Sequence, residues 1–211
     1  MAEIKITKNE LRNQQSKLNQ LRKYLPTLQL KKALLQAEVT EARLEIFELE
    51  EQLNLEKRVV DEYASLFTQN IPCDVAYFCV IKEINKRYEN IAGAEVPFFE
   101  GCTFEPITYD LFETPVWLEA AIGGIRTVCK LQCHIAITTE KLRILEHELR
   151  EVTIRVNLFE KILIPRCEKN IKKIKVFLGD QQLAAVSQAK VAKTKILERQ
   201  LLLNKEELHA H

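Results

Sequence analysis

The sequence predicts a mainly α fold: a long antiparallel two-helix coiled coil, formed by the amino- and carboxy-terminal helices, with a small central region containing a β-hairpin. Three observations predict it. Apolar residues recur at a heptad period over two long stretches, one at each end of the chain. The stretch between them replaces that period with aromatics, β-branched residues, prolines and glycines. Charged residues make up 29% of the 211, which suits solvated helix faces. The expected organisation is an amino-terminal coiled-coil helix over 1–70, a central region over 71–113 and a carboxy-terminal coiled-coil helix over 114–211.

The first seam has two interleaved series. One is Leu11, Leu18, Leu25, an interruption at Lys32, then Val39, Ile46, Leu53, Val60 and Phe67; the other is Leu21, Leu28, Leu35, Ala42 and Leu49. A 3.5-residue period keeps a stripe facing one partner helix along its whole length, which a 3.6-residue period cannot do. Thr7 followed by Glu10 reads as a capping box that starts the helix. Run to about Asn70, it spans about 95 Å at about 1.5 Å per residue. Pro26 removes one backbone hydrogen bond and predicts a kink, because the heptads continue past it. Ile71-Pro72 predicts the stop.

From Cys73 to Glu113 a hairpin is expected, with Val80–Tyr88 and Glu95–Phe104 as strands, Ala92-Gly93 between them and Pro97 at an edge or bulge. Thr114-Pro115 predicts the next helix start. A second seam follows as Ala121, Val128, Ile135, Leu142, Leu149, Val156, Leu163, with Trp117, Gly124, Leu131, Thr138, Leu145, Val152, Phe159 beside it. Near Pro165 the frame slips by one residue, to Ile164, Ile171, Leu178, Ala185 and Ala192. Two such stripes joined by a compact excursion bury each other by folding back. With the chain ends flush, Leu11 is expected beside Ile196 and Val60 beside Leu142.

Formal net charge is only +1, but it is unevenly spread. Residues 1–35 carry eight basic and two acidic side chains, and 165–200 carry nine and three, so each region is +6; residues 36–62 hold nine acids against three bases, −6. The fold therefore predicts a basic tip of Lys5, Lys8 and Arg12 from one helix with Lys193, Lys195 and Arg199 from the other. That tip lacks interleaved aromatics or a reader motif, so nucleic acid is not an expected partner. With no run of 18 apolar residues and no signal peptide, direct membrane insertion is not expected and the protein is expected in the cytoplasm. The six cysteines are expected as free thiols. No phosphate-cradling glycine motif is present, and Cys129, Cys133 and His134 lack the further ligands a zinc site needs, so no cofactor, metal or catalytic residue is expected. Glu146, His147 and Glu148 read as a solvated face.

At Thr153-Ile154-Arg155-Val156-Asn157-Leu158-Phe159-Glu160, then Ile164-Pro165, Ile171, Ile174 and Leu178, the chain resembles the D subunit of the V-type and A-type rotary ATPases. The family signature has a basic pair, Val-Asn, a hydrophobic pair and Glu ahead of Ile-Pro. Thr7-Lys8-Asn9-Glu10-Leu11, Leu30-Lys31-Lys32 and Glu95-Val96-Pro97 also look like that family, and Arg155, Val156, Asn157, Glu160 and Pro165 carry its motif. Ile154 stands where a second Arg is usual and Phe159 where Leu is usual, as in a divergent bacterial member.

The resemblance implies a non-catalytic central-stalk rotor of an ion-translocating ATPase, peripheral to the membrane. Its implied partners are the catalytic and regulatory subunits of the hexamer, the small central-stalk F subunit and a membrane-sector rotor connector. The alternative is a static coiled-coil scaffold or tether. Pro26, Pro165 and the frame slip favour the rotor, because a tether is served by uniform heptads.

Overall fold

A computed structural model of the chain describes residues 5–64, 66, 79–106 and 115–209, with side chains as far as Arg199. In order, its elements are α1 (Lys8–Glu62), β1 (Ile81–Ile91), β2 (Ala94–Phe104), α2 (Trp117–Asn157), a π-helical segment (Leu158–Leu163) and α3 (Ile164–His209). They fall into two compact units, Leu28–Arg155 and Met1–Thr27 with Val156–His211. The boundaries lie beside Pro26 on one side of the chain and beside the π-helical segment on the other. These are the places where the sequence predicted irregularity.

In the unit Leu28–Arg155, α1 and α2 run antiparallel. Arg43 pairs with Glu146 at 2.6 Å and Lys141 with Glu45 at 3.2 Å, while further along α1 Val60 meets Gly124. A β-carbon on Gly124 would stand 3.0 Å from Val60 Cγ2, so the glycine permits the close approach of the helices there. Leu35, Val39, Ala42 and Leu49 are buried on α1, opposite Ala121, Thr138, Leu145 and Val152 on α2. These belong to the expected seams. Leu118, Ile122, Ile137 and Lys141 are buried outside them, and Lys141 is covered by Phe98 of the hairpin.

The hairpin is antiparallel, with Ile91 opposite Ala94 and Ile81 opposite Phe104. Its two-residue turn has positive φ at Ala92 (52°) and Gly93 (87°), the geometry whose twist matches the strands. The Gly93 N–H donates to Asn90 Oδ1 at 2.8 Å, fixing the turn. Pro97 lies opposite Tyr88, three pairs beyond the turn-closing pair and so at a non-hydrogen-bonded site, where a missing N–H costs nothing. Register shifts at Ile81/Glu83 and Asn85/Lys86 bend the ribbon. Phe98 then lies under Lys141 Nζ at 4.2 Å, Phe99 stacks on His134 at 4.8 Å, and Phe104 lies under the Arg126 guanidinium at 5.1 Å.

In the other unit, the Glu10 N–H donates to Thr7 Oγ1 at 3.2 Å, the expected cap. The reciprocal half of the box is not made: Thr7 N–H donates to the Lys5 carbonyl, and the Glu10 carboxylate accepts from Gln14. Leu18, Cys167 and Ile171 form a core with Leu11, Leu21 and Ile164 packed on it, and Arg22 pairs with Glu168 at 2.7 Å. The one-residue frame slip has a physical form here. In the π-helical segment the Ile164 N–H donates to Phe159 O, five residues back, which absorbs one extra residue and makes room for the donor-less Pro165. The buried row resumes one position late at Cys167, Ile171 and Ile174.

The expected axial register is corrected. Leu11 lines a groove with Leu178, Gly179 and Gln182, not with Ile196, and Val60 meets Gly124, not Leu142. The helix ends are not flush. A heptad stripe looks almost the same after sliding by whole heptads, so periodicity leaves the offset open; in the structure Arg22 meets Glu168 and Arg43 meets Glu146. α1 ends at Glu62 in a tightened turn, Tyr63 N–H to Val60 O and Ala64 N–H to Asp61 O. Asn70, Ile71-Pro72 and the Thr114 cap lie outside the described residues.

Candidate functional site

The basic residues singled out at the tip lie in one unit but not side by side. Lys5, Lys8 and Arg12 are exposed around the start of α1, and Lys193, Lys195 and Arg199 are exposed on α3. Lys8 and Leu11 share a groove of about 410 Å³ with Lys175, Leu178 and Ala185. Arg199 therefore lies 14 residues past the groove, about 21 Å along α3 at about 1.5 Å per residue. From Gln181 to Arg199 every side chain is exposed. Leu183, Val186, Val191, Ile196 and Leu197 all exceed 50% exposure except Leu197, which is at 50%. Interleaved with Lys190, Lys193 and Lys195, they make a helix with apolar and cationic positions to offer and no intrachain cover among the described residues. Sequence reasoning missed this overhang, because it assumed flush ends.

The motif residues surround the π-helical segment. Arg155 is exposed and pairs with Glu151 at 3.0 Å, one helical turn back. Val156 is buried in the seam, Asn157 and Glu160 are exposed, and Pro165 is half-buried. Beside the segment a groove of about 560 Å³ is lined by Gln14, Leu21, Tyr24, Phe159, Leu163 and Cys167.

A polar cluster that sequence reasoning did not single out lies under the hairpin. Glu45 receives Lys141 at 3.2 Å on one carboxylate oxygen and lies 3.5 Å from His134 on the other, while Phe98 and Phe99 cover Lys141 and His134. Lys141 is only 6% exposed. The sequence signal was a lysine one residue from a predicted seam position, facing the densest acidic stretch of α1. Glu146 belongs to the Arg43 pair, and His147 is exposed.

Of the thiols, burial pushes Cys79 from the ordinary 9.0 up to about 11, with further upward contributions from Cys129 and its hydrogen bond. Burial likewise raises Cys133, beside Cys102 and Cys129. Among the described residues no three His, Cys, Asp or Glu side chains converge to hold a metal ion. None of the described helices is long and apolar enough to cross a membrane.

Residues 10–194 match the family model for the D subunit of ATP synthase. The chain is 41% identical over 199 residues to the V-type ATP synthase D subunit of Chlamydia caviae, covering 94% of this chain and 96% of that one. To the Chlamydia pneumoniae protein of the same name it is 43% identical over 195 residues, 92% and 93% of the two chains. To that of Borreliella burgdorferi it is 38% identical over 201 residues, 94% and 98%. A capped amino-terminal helix, a central hairpin and a carboxy-terminal helix with a built-in frame slip thus come with a family match across nearly the whole chain, and the protein belongs to the family of ATP synthase D subunits.

Proposed function

We propose that this chain is the central-stalk rotor of a V-type or A-type ATPase, carrying torque between nucleotide turnover in the catalytic hexamer and ion translocation in the membrane sector. It catalyses nothing itself. Its partners in this reading are the catalytic and regulatory subunits of the hexamer, the small central-stalk F subunit and a membrane-sector rotor connector, and the chain itself is cytoplasmic and peripheral to the membrane as part of that complex.

The observation that carries the reading is the carboxy-terminal stretch of α3, where apolar and cationic side chains are exposed together past the start of α1. A lone helix end gains little stability without a partner, and a concentrated positive patch is steered towards acidic or polar walls. Ion pairs between helices within each unit, Arg22–Glu168, Arg43–Glu146 and Glu45–Lys141, oppose sliding of one helix on the other, as a shaft under load requires.

The test replaces Lys5, Lys8, Arg12, Lys193, Lys195 and Arg199 by Gln and measures binding to the isolated hexamer at low and high salt, with circular dichroism as the folding control. Weaker binding with a shallower salt dependence and retained helicity is expected. Wild-type binding with unchanged salt dependence removes the basic tip from the seating contacts. Failure of the wild-type chain to bind any hexamer leaves a static tether instead.

A further inference from the structure

Four cysteines gather where the base of the hairpin meets α2. The Glu105 N–H donates to Val80 O at 3.1 Å, and Arg126 donates to Glu105 O at 3.0 Å with its guanidinium over Phe104. Cys79 immediately precedes Val80, and Cys129 follows Arg126 by about one helical turn on α2. This brings the two thiols into one neighbourhood, with Cys129 near enough to Cys79 to push its thiol up further. Cys102 sits on β2 between Phe99, stacked on His134, and Phe104, next to Arg126, and Cys133 neighbours both Cys102 and Cys129.

We propose that Cys79 and Cys129 form a reversible disulfide when the protein meets hydrogen peroxide, a covalent latch that fastens the chain entering β1 to helix α2. The hydrogen bonds from Val80 through Glu105 to Arg126 bring the segment that carries Cys79 against the face of α2 that carries Cys129, and both thiols are part-exposed, within reach of a small oxidant. The obvious competitor is worse placed. Cys129 and Cys133 are one turn apart on a helix, where β-carbons stand about 5–6 Å apart, while a disulfide needs about 3.5–4.5 Å.

The chemistry balances with peroxide alone. The Cys129 thiolate attacks the O–O bond and becomes a sulfenic acid, releasing hydroxide that leaves as water. The Cys79 sulfur then attacks the Cys129 sulfur, loses its proton and expels the second oxygen as water. Two thiols and one peroxide give one disulfide and two waters. Burial disfavours the Cys79 thiolate, so the first attack falls to Cys129, and the second step proceeds as Cys79 gives up its proton. A small thiol restores both residues by exchange.

The full-length protein is treated with one equivalent of hydrogen peroxide at low concentration, alkylated, digested with trypsin and mapped by mass spectrometry. An intramolecular link between the Cys129 peptide and the peptide that carries Cys79 is expected. It is lost in Cys79→Ser, retained in Cys73→Ser and reversed by dithiothreitol. The latched form also resists proteolysis at the hairpin base relative to the reduced form, a readout independent of the mapping. A link from Cys129 to another cysteine, a link that survives Cys79→Ser, an intermolecular product, or sulfinic acid at Cys129 with no link each overturns the proposal. Circular dichroism of both Ser variants separates loss of the link from loss of the fold.

Discussion

Glu45→Gln isolates the charge under the hairpin. In the wild type, Lys141 Nζ lies 3.2 Å from Glu45 Oε2 and 4.2 Å over the Phe98 ring, with its side chain 7% exposed and that of Glu45 34% exposed. At that separation the Coulomb attraction is about 5 kcal/mol at an effective dielectric of about 20, and about 1.3 kcal/mol in water. The half-open carboxylate places the pair between these limits, and desolvation of the ammonium offsets part of the gain. Glu45→Gln keeps shape and a hydrogen-bond acceptor but leaves the lysine buried without its counter-charge. We expect a cost of about 2 kcal/mol, seen as a fall in Tm of roughly 4–8 °C for a chain of this size.

Lys141→Met removes the charge and its desolvation together while keeping a long apolar stem against Phe98. It should cost under about 1 kcal/mol, since replacing a buried ion pair by packed apolar groups is often neutral. The assay is thermal and urea unfolding of both single variants and the double variant, with the double close to Lys141→Met alone. If Glu45→Gln lies within about 0.5 kcal/mol of wild type, or Lys141→Met costs as much as Glu45→Gln, the pair is not a buried electrostatic lock and the reasoning fails.

Leu35→Ala, at a side chain with no exposed surface in the seam, should cost about 2–5 kcal/mol by denaturant unfolding, and a cost below about 1 kcal/mol would remove Leu35 from the core. Cysteines introduced at Leu11 and Leu178 should cross-link readily, whereas the pair at Leu11 and Ile196 should not; the reverse result would restore flush helix ends. Cys79, raised to about 11, should react with iodoacetamide about 10-fold more slowly at pH 8 than a thiol at 9.0, its smaller thiolate fraction being partly offset by the greater nucleophilicity of a more basic thiolate. Because its thiolate is disfavoured more in the folded state, its stabilising contribution is complete below about pH 9 and fades as pH rises through about 11, so unfolding should become easier across that window.

What the sequence determined by itself was whatever depends on local spacing. Leu35, Ala42, Leu49, Ala121, Leu145 and Val152 could be read as buried because a 3.5-residue period marks one face of a helix whatever that face meets. The Thr7 cap, the Ala92-Gly93 turn and the one-residue slip before Pro165 were legible for the same reason, since each is a constraint within a few residues of backbone. Only the tertiary structure decided how far one helix is offset along the other, because sliding by whole heptads leaves the stripe almost unchanged while moving every cross-helix partner. That offset leaves the end of α3 exposed and separates Arg12 from Arg199. Tertiary structure also decided that α2 has two covered faces. The hairpin lays Phe98 over Lys141 and Phe99 against His134, contacts between elements whose sequence separation carries no periodic signal.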